Sequence, residues 1–199
     1  MLQYRSNYPN HVHQLMVSAS RHCFAGADDL MKCQKKPMEV TLAKLPASPR
    51  RHAVIYTLRD HCSGVFYAEV AIAPDLLPLK GFLARAWDEK ANFAFCGLPE
   101  LLSFPASVRD AFPEVAEAVE RLGVRLVDVT SGFQGGVRDI REINEAMRVH
   151  EGRPLSDLPD EIEWTYRRLA NAVSRRGFGA KIEMWKEGVG TVRFPPLDW

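Results

Sequence analysis

The spacing of apolar residues changes period partway along this chain, and that change predicts the order of its elements. Residues 38–45 alternate Met38, Val40 and Leu42 against Glu39, Thr41 and Ala43, the two-residue period of a half-buried strand. Residues 52–59 are rich in β-formers (Val54, Ile55, Tyr56, Thr57), and residues 65–72 repeat that composition. The short link Asp60-His61-Cys62-Ser63-Gly64 between them predicts an antiparallel hairpin. From residue 75 the period lengthens. Leu76, Leu79, Phe82, Leu83 and Ala86 recur at helical spacing through residue 89, with Pro78 in the first turn, where its missing N–H is harmless. Two short apolar pieces, 93–95 and 101–104, are separated by Gly97 and Pro99 and hold one further strand. Residues 113–122 read as a helix with Val115, Ala116, Val119 and Leu122 inward, stopped by Gly123. A buried strand at 124–129, a glycine-rich loop at 130–136 and helices at 139–149 and 157–176 follow, the last with Asp157 as N-cap.

The flanks differ from this core. Residues 13–20 and 26–33 are helix-like, the second with Asp28 as N-cap, and Lys35-Lys36-Pro37 marks a boundary. Near the other end, residues 181–186 and 191–194 carry aromatics around Gly188-Val189-Gly190, which predicts a small hairpin. The expected organisation is an N-terminal helical extension over 1–36, an α/β core over 37–150, and a helix with a hairpin tail over 151–199. Three antiparallel strands followed by alternating helices and strands give the core a mixed five-stranded sheet, antiparallel then parallel, flanked by helices.

Composition sharpens this picture only modestly. The 199 residues, 46% hydrophobic, suffice for one domain of ordinary size. With 26 Lys+Arg against 25 Asp+Glu there is no bulk attraction to nucleic acid, so any such surface is a local patch. The four cysteines have no paired spacing, residues 1–10 have no apolar core, and no apolar run nears the about 18 residues of a membrane span. These features predict a cytoplasmic protein with reduced thiols and no membrane partner. Asp60-His61-Cys62-Ser63 gathers four reactive side-chain types, but adjacent residues on a turn point apart, so turn formation explains them better than catalysis. Trp164, with Ile162 and Leu169, is expected to pack the long C-terminal helix onto the sheet.

Three motifs, taken in order, carry a resemblance. They are Glu39-Val40-Thr41, then Ser63-Gly64 followed by Val65-Phe66-Tyr67-Ala68-Glu69-Val70, then Gln134-Gly135-Gly136-Val137 ahead of a helix. Over roughly residues 37–150 they resemble the catalytic core of retroviral integrases and DDE transposases. The resemblance implies a ribonuclease H-like fold, and DNA strand transfer by three acids holding two Mg²⁺ ions. Its first acid falls on Glu39, where the family has Asp; its second falls on Pro105, which has no carboxylate, with Glu100 the nearest substitute. Its third falls on Asp139, or on Arg138 in the other register, and Glu142 shares the Asp139 face one turn on. The candidate catalytic residues are thus Glu39, Asp139 and Glu142, the candidate metal ligands Glu39 and Asp139, and the candidate nucleic-acid contacts Gln134, Arg138 and Arg141.

Two Mg²⁺ ions about 4 Å apart each need a shell of carboxylate oxygens. The missing second acid therefore predicts a degenerate site with no metal cofactor, on a protein that binds nucleic acid, a protein partner or a second copy in a mobile-element setting. The alternatives are an active Mg²⁺-dependent DNA strand transferase or nuclease, and an interaction protein that keeps only the fold. The family also has a zinc-bound His-His-Cys-Cys module ahead of its core. His11, His13, Cys23 and Cys33 match that composition, but H-x-H and C-x9-C are not the usual paired spacing, so these four are expected not to converge.

Overall fold

The computed structural model describes residues 6–128, 134–173, 179–197 and 199. Its sheet is organised around β1 (Val12–Ala25), the longest strand. A second, short strand, β2 (Met31–Cys33), pairs antiparallel with the end of β1. β3 (Arg51–Asp60) lies antiparallel to β1, and β4 (Phe66–Ile72) antiparallel to β3. On the other side β5 (Leu101–Ser103) and β6 (Arg125–Val127) run parallel. The order is β4-β3-β1-β5-β6, a mixed sheet that is antiparallel on one side and parallel on the other. The Ser63-Gly64 turn joins β3 to β4 as expected. Asp60 closes that turn by accepting from both the N–H and the hydroxyl of Ser63, at 2.6 Å each.

The strand at the centre is not the expected one. Residues 13–20 lie within β1 rather than in a helix. Val12, Leu15, Met16 and Ala19 do fall at helical spacing, which is why the pattern misleads. Both faces of β1 are covered, so the two-residue alternation of a half-buried strand is blurred. Residues 26–33 form a turn and β2 instead of a helix, so the 1–36 segment is no helical extension: it supplies the middle of the sheet. Residues 38–45 join no ladder. They are irregular and run into a 3₁₀ turn, Leu42–Ala47, because β1 already has β3 on one side and β2 and β5 on the other.

The helices follow the sequence pattern more closely. They are α1 (Leu79–Trp87), α2 (Ala106–Ala111), α3 (Pro113–Arg121), α4 (Gln134–Val149), α5 (Leu158–Ala170) and α6 (Lys181–Gly188). α4 starts earlier than expected because Gly135 and Gly136 belong to its first turn. Residues 130–133 of the predicted loop lie outside the described residues. Residues 181–186 are helical rather than a hairpin strand, with Ile182 and Trp185 turned inward at i, i+3. Trp164 does not pack on the sheet. It is 59% exposed, with the Arg168 guanidinium 5.1 Å over its ring. Ile162 and Tyr166 anchor α5 instead, the Tyr166 ring 5.3 Å from Tyr67 of β4. No helix among the described residues is long and apolar enough to cross a membrane.

Helices cover both faces of the sheet. α1 covers one, where Phe82 stacks 5.5 Å from Tyr56 of β3. α4 covers the other, where Asn144 accepts from Ser20 of β1 at 2.6 Å. On the α1 side a buried polar network ties the chain's ends together. Trp87 donates to His13 Nδ1 at 3.2 Å, and because an indole can only donate, the proton of neutral His13 sits on Nε2. That nitrogen is 2.9 Å from Asn10 Oδ1, which also accepts from Trp185 of α6 at 3.2 Å. Asn10 in turn donates to the Cys96 carbonyl, and its N–H to Asp60. A proton on Nδ1 would set two donors against each other. Burial, aided by the Lys90 charge, holds His13 down at about 3.

Candidate functional site

The sheet face beneath the start of α4 holds Asp139, the candidate acid that this helix carries. Side chains alternate along strands, so Gln14, Met16 and Ser18 of β1 share this face with their partners, Arg59 and Thr57 of β3 and Ser103 of β5. The first turn of α4 sits directly on them. The Gly136 N–H donates to Gln14 Oε1 at 3.1 Å. A Cβ built on Gly136 would lie 2.7 Å from Gln14 Nε2 and 2.8 Å from Met16 Cγ, and one on Gly135 only 2.5 Å from Arg59 Nε. The two glycines thus let the helix approach the sheet more closely than any side chain would allow.

Asp139 points down from α4 into this contact. Arg59 Nη1 reaches both of its carboxylate oxygens at 2.8 Å. The pair is withdrawn from solvent, with 12% of the Arg59 side chain and 2% of the Asp139 side chain exposed. Burial pushes the Asp139 carboxyl above its ordinary range, against the pull of Arg59. Lys181 of α6 lies close by, its amine lowered first by burial and then by the Arg59 charge. Glu142 and Arg138 are half-buried neighbours whose charges reach Lys181, while Arg141 is exposed on the outer side of α4. Gln134 opens the helix.

The other expected residues lie elsewhere. Glu39 is exposed in the irregular segment before the 3₁₀ turn and lies on no strand, so it does not meet Asp139 across the sheet. This corrects the expected pairing, and its cause is the misplaced first strand. β5 ends at Ser103, followed by buried Phe104 and then by Pro105 as N-cap of α2, so no carboxylate stands there. Glu100 precedes β5, at the opposite end of the strand, where it accepts from the Tyr8 hydroxyl. Residues 129–133, outside the described residues, contain no acidic residue by sequence. Sequence reasoning overlooked Arg59 and Gln14. Arg59 is a charged residue following the apolar run 53–58, and that was the available signal.

This donor set does not fit a pair of Mg²⁺ ions. Divalent magnesium seeks carboxylate oxygens at about 2.1 Å. Here the buried carboxylate is held by a guanidinium, a second cation stands beside it, and the remaining groups are an amide and hydroxyls. The Ser103 and Thr57 hydroxyls have no hydrogen-bond partner among the described residues. No group of three or more His, Cys, Asp or Glu among the described residues is placed to hold a metal. His13 is engaged by Trp87 and Asn10, whereas Cys23 and Cys33 face each other across β1 and β2.

No protein-family model matches the sequence, and no curated protein matches it. Solved structures do match. A chain of the simian T-cell lymphotropic virus intasome in complex with PP2A regulatory subunit B56 gamma aligns with a TM-score of 0.60 at 10% identity, over 98% of this chain. The present chain spans 62% of that one. The catalytic core of BIV integrase aligns with a TM-score of 0.51 at 14% identity, over 89% of this chain and 95% of the core. The HTLV-2 integrase catalytic core in complex with magnesium aligns at 0.50 and 12% identity, over 88% and 95%. At these identities the likeness concerns the backbone alone, and by it the chain has the ribonuclease H-like fold of retroviral integrase catalytic cores.

Proposed function

We propose that this chain is an integrase-core-like module without two-metal catalysis, which binds nucleic acid in a mobile-element setting through the outer side of α4. The observation that carries the first half is the Arg59–Asp139 pair. Asp139, the one buried acid beneath the start of α4 among the described residues, is already neutralised by an arginine, and Lys181 adds a further positive charge. A site built this way repels cations. The same charges favour phosphate nearby, and Arg138 and Arg141, with Gln134 at the helix start, are the contacts in reach of a duplex laid along α4.

Plasmid-nicking and oligonucleotide strand-transfer assays in Mg²⁺ and in Mn²⁺ test the first half. We expect no product above background, and no change on Glu39→Gln or Asp139→Asn. Metal-dependent cleavage lost on Asp139→Asn would make the chain a Mg²⁺-dependent strand transferase or nuclease. Binding to duplex DNA tests the second half. Affinity should fall by about 0.9 log unit per log unit of salt for each phosphate neutralised, and Arg138→Ala or Arg141→Ala should each flatten that slope by about one phosphate. Absence of binding at low salt leaves the interaction-protein reading. That reading has its own support in the exposed Trp164 capped by Arg168 on α5, a surface suited to a protein partner or a second copy.

A further inference from the structure

The β1–β2 ladder sets Cys23 opposite Cys33, Phe24 opposite Lys32 and Ala25 opposite Met31. The Gln34 N–H donates to the His22 carbonyl, and the Gly26 N–H to the Leu30 carbonyl. Hydrogen-bonded pairs recur every second residue in an antiparallel ladder, so they fall at His22/Gln34, Phe24/Lys32 and Gly26/Leu30. Cys23/Cys33 is therefore a non-hydrogen-bonded pair, the kind in which Cα atoms lie about 4.5 Å apart and side chains come closest. That spacing falls within the roughly 4.4–6.8 Å that a disulfide spans. The Cys33 N–H turns away to Glu151, and its thiol donates to the Met147 carbonyl of α4 at 3.7 Å. Cys23 is buried and Cys33 is partly exposed, so solvent reaches the pair from one side.

We propose that Cys23 and Cys33 form a thiol-oxidation site that closes reversibly to a disulfide, with a low-molecular-weight disulfide such as glutathione disulfide as oxidant. The Cys33 sulfur gives up its proton and attacks the S–S bond of the oxidant, forming a mixed disulfide and releasing one glutathione. The Cys23 sulfur, deprotonated in turn, attacks the Cys33 sulfur and releases the second. Two protein thiols lose two electrons and two protons, and the two glutathione thiols gain them. In the reduced pair, contact with Cys33 and then Ser20 holds the Cys23 thiol below its usual range against burial. The same contact pushes the Cys33 thiol up, so the first step quickens as pH rises.

The bond would fasten the hairpin that carries β2, which is already joined to the end of α4 through Met31 N–H to the Arg153 carbonyl and Gly152 N–H to the Met31 carbonyl. The test is equilibration of the full chain in glutathione buffers of varied ratio, followed by acid quench, alkylation and peptide mass mapping. We expect two of the four thiols to become protected, a Cys23–Cys33 linked peptide, and a Tm higher by about 5–10 °C that dithiothreitol reverses. The double variant Cys62→Ser/Cys96→Ser should behave alike. Cys33→Ser, at a partly exposed position that tolerates the change, should abolish the linkage. Four alkylatable thiols under native oxidising conditions, a stable mixed disulfide on Cys33, or a linkage between other cysteines would each overturn the proposal.

Discussion

Arg59 and Asp139 are the two residues on which this reading of the molecule turns, and their burial makes them testable. A buried ion pair gains little over apolar packing, yet removing one member leaves an unpaired charge that costs about 3 kcal/mol or more. Arg59→Met alone should therefore lower stability by about 3 kcal/mol at neutral pH, while Arg59→Met/Asp139→Leu should recover most of the loss. Burial already raises the Asp139 carboxyl, and without Arg59 it rises further, so the single-variant penalty should shrink as pH falls and Asp139 takes up a proton. Urea unfolding of wild type, both single variants and the double variant checks this; simple additivity would mean the two side chains are not coupled. His13 gives a second residue-scale prediction. Its native value near 3 lies below its unfolded value near 6.5, so the native state binds fewer protons in between. Stability should fall by up to about 1.4 kcal/mol per pH unit between about 6.5 and 3 from this residue. The His13 ring resonance should stay at its neutral position down to pH 4.5, and a midpoint near 6.5 by NMR would contradict the Trp87–His13–Asn10 arrangement.

Among the elements, legibility in the sequence tracked how many faces each one buries. β3 and β4 were readable because β-formers flank a turn whose Asp and Ser hydrogen-bond within it. α3 was readable because it buries one stripe. α5 was legible as a helix, but its buried stripe runs through Ile162 and Tyr166 and leaves Trp164 outside. β1 was not, since a central strand covered on both sides loses its alternation, and its apolar residues happen to fall at helical intervals. The error propagated: with the first strand placed at 38–45, Glu39 became the first acid, whereas the strand at the centre offers Gln14 and Met16 on the α4 side. The close seat of α4 has its own consequence. Gly→Ala within a helix usually stabilises by up to about 1 kcal/mol. Gly136→Ala should instead destabilise by about 1–3 kcal/mol, because its methyl meets buried Gln14 and half-buried Met16. A raised urea midpoint would show that the helix rides higher on the sheet.

For the whole molecule, fold and chemistry separate. The strand order β4-β3-β1-β5-β6 with helices on both faces makes a backbone that aligns with that of integrase cores, and one fold can carry different reacting groups. The sequence placed Asp139 on the helix that follows the Gly-Gly pair, and α4 carries it in its first turns. It concealed the partner, because Arg59 reaches Asp139 across 80 residues of sequence and no local pattern records such a contact. Linkage converts this arrangement into a test that needs no substrate. A cation that binds only the native state stabilises by RT ln(1 + [M]/Kd), so a site with a Kd of about 1 mM would add about 1.4 kcal/mol at 10 mM metal. For a chain of this size that is a Tm rise of about 3–6 °C. We expect Mg²⁺ and Mn²⁺ to shift Tm no more than NaCl of matched ionic strength, because Arg59 already occupies the buried Asp139 carboxylate beneath α4. A metal-specific rise that disappears in Asp139→Asn would mean that the ion displaces Arg59, and the non-catalytic reading would then fail at its foundation.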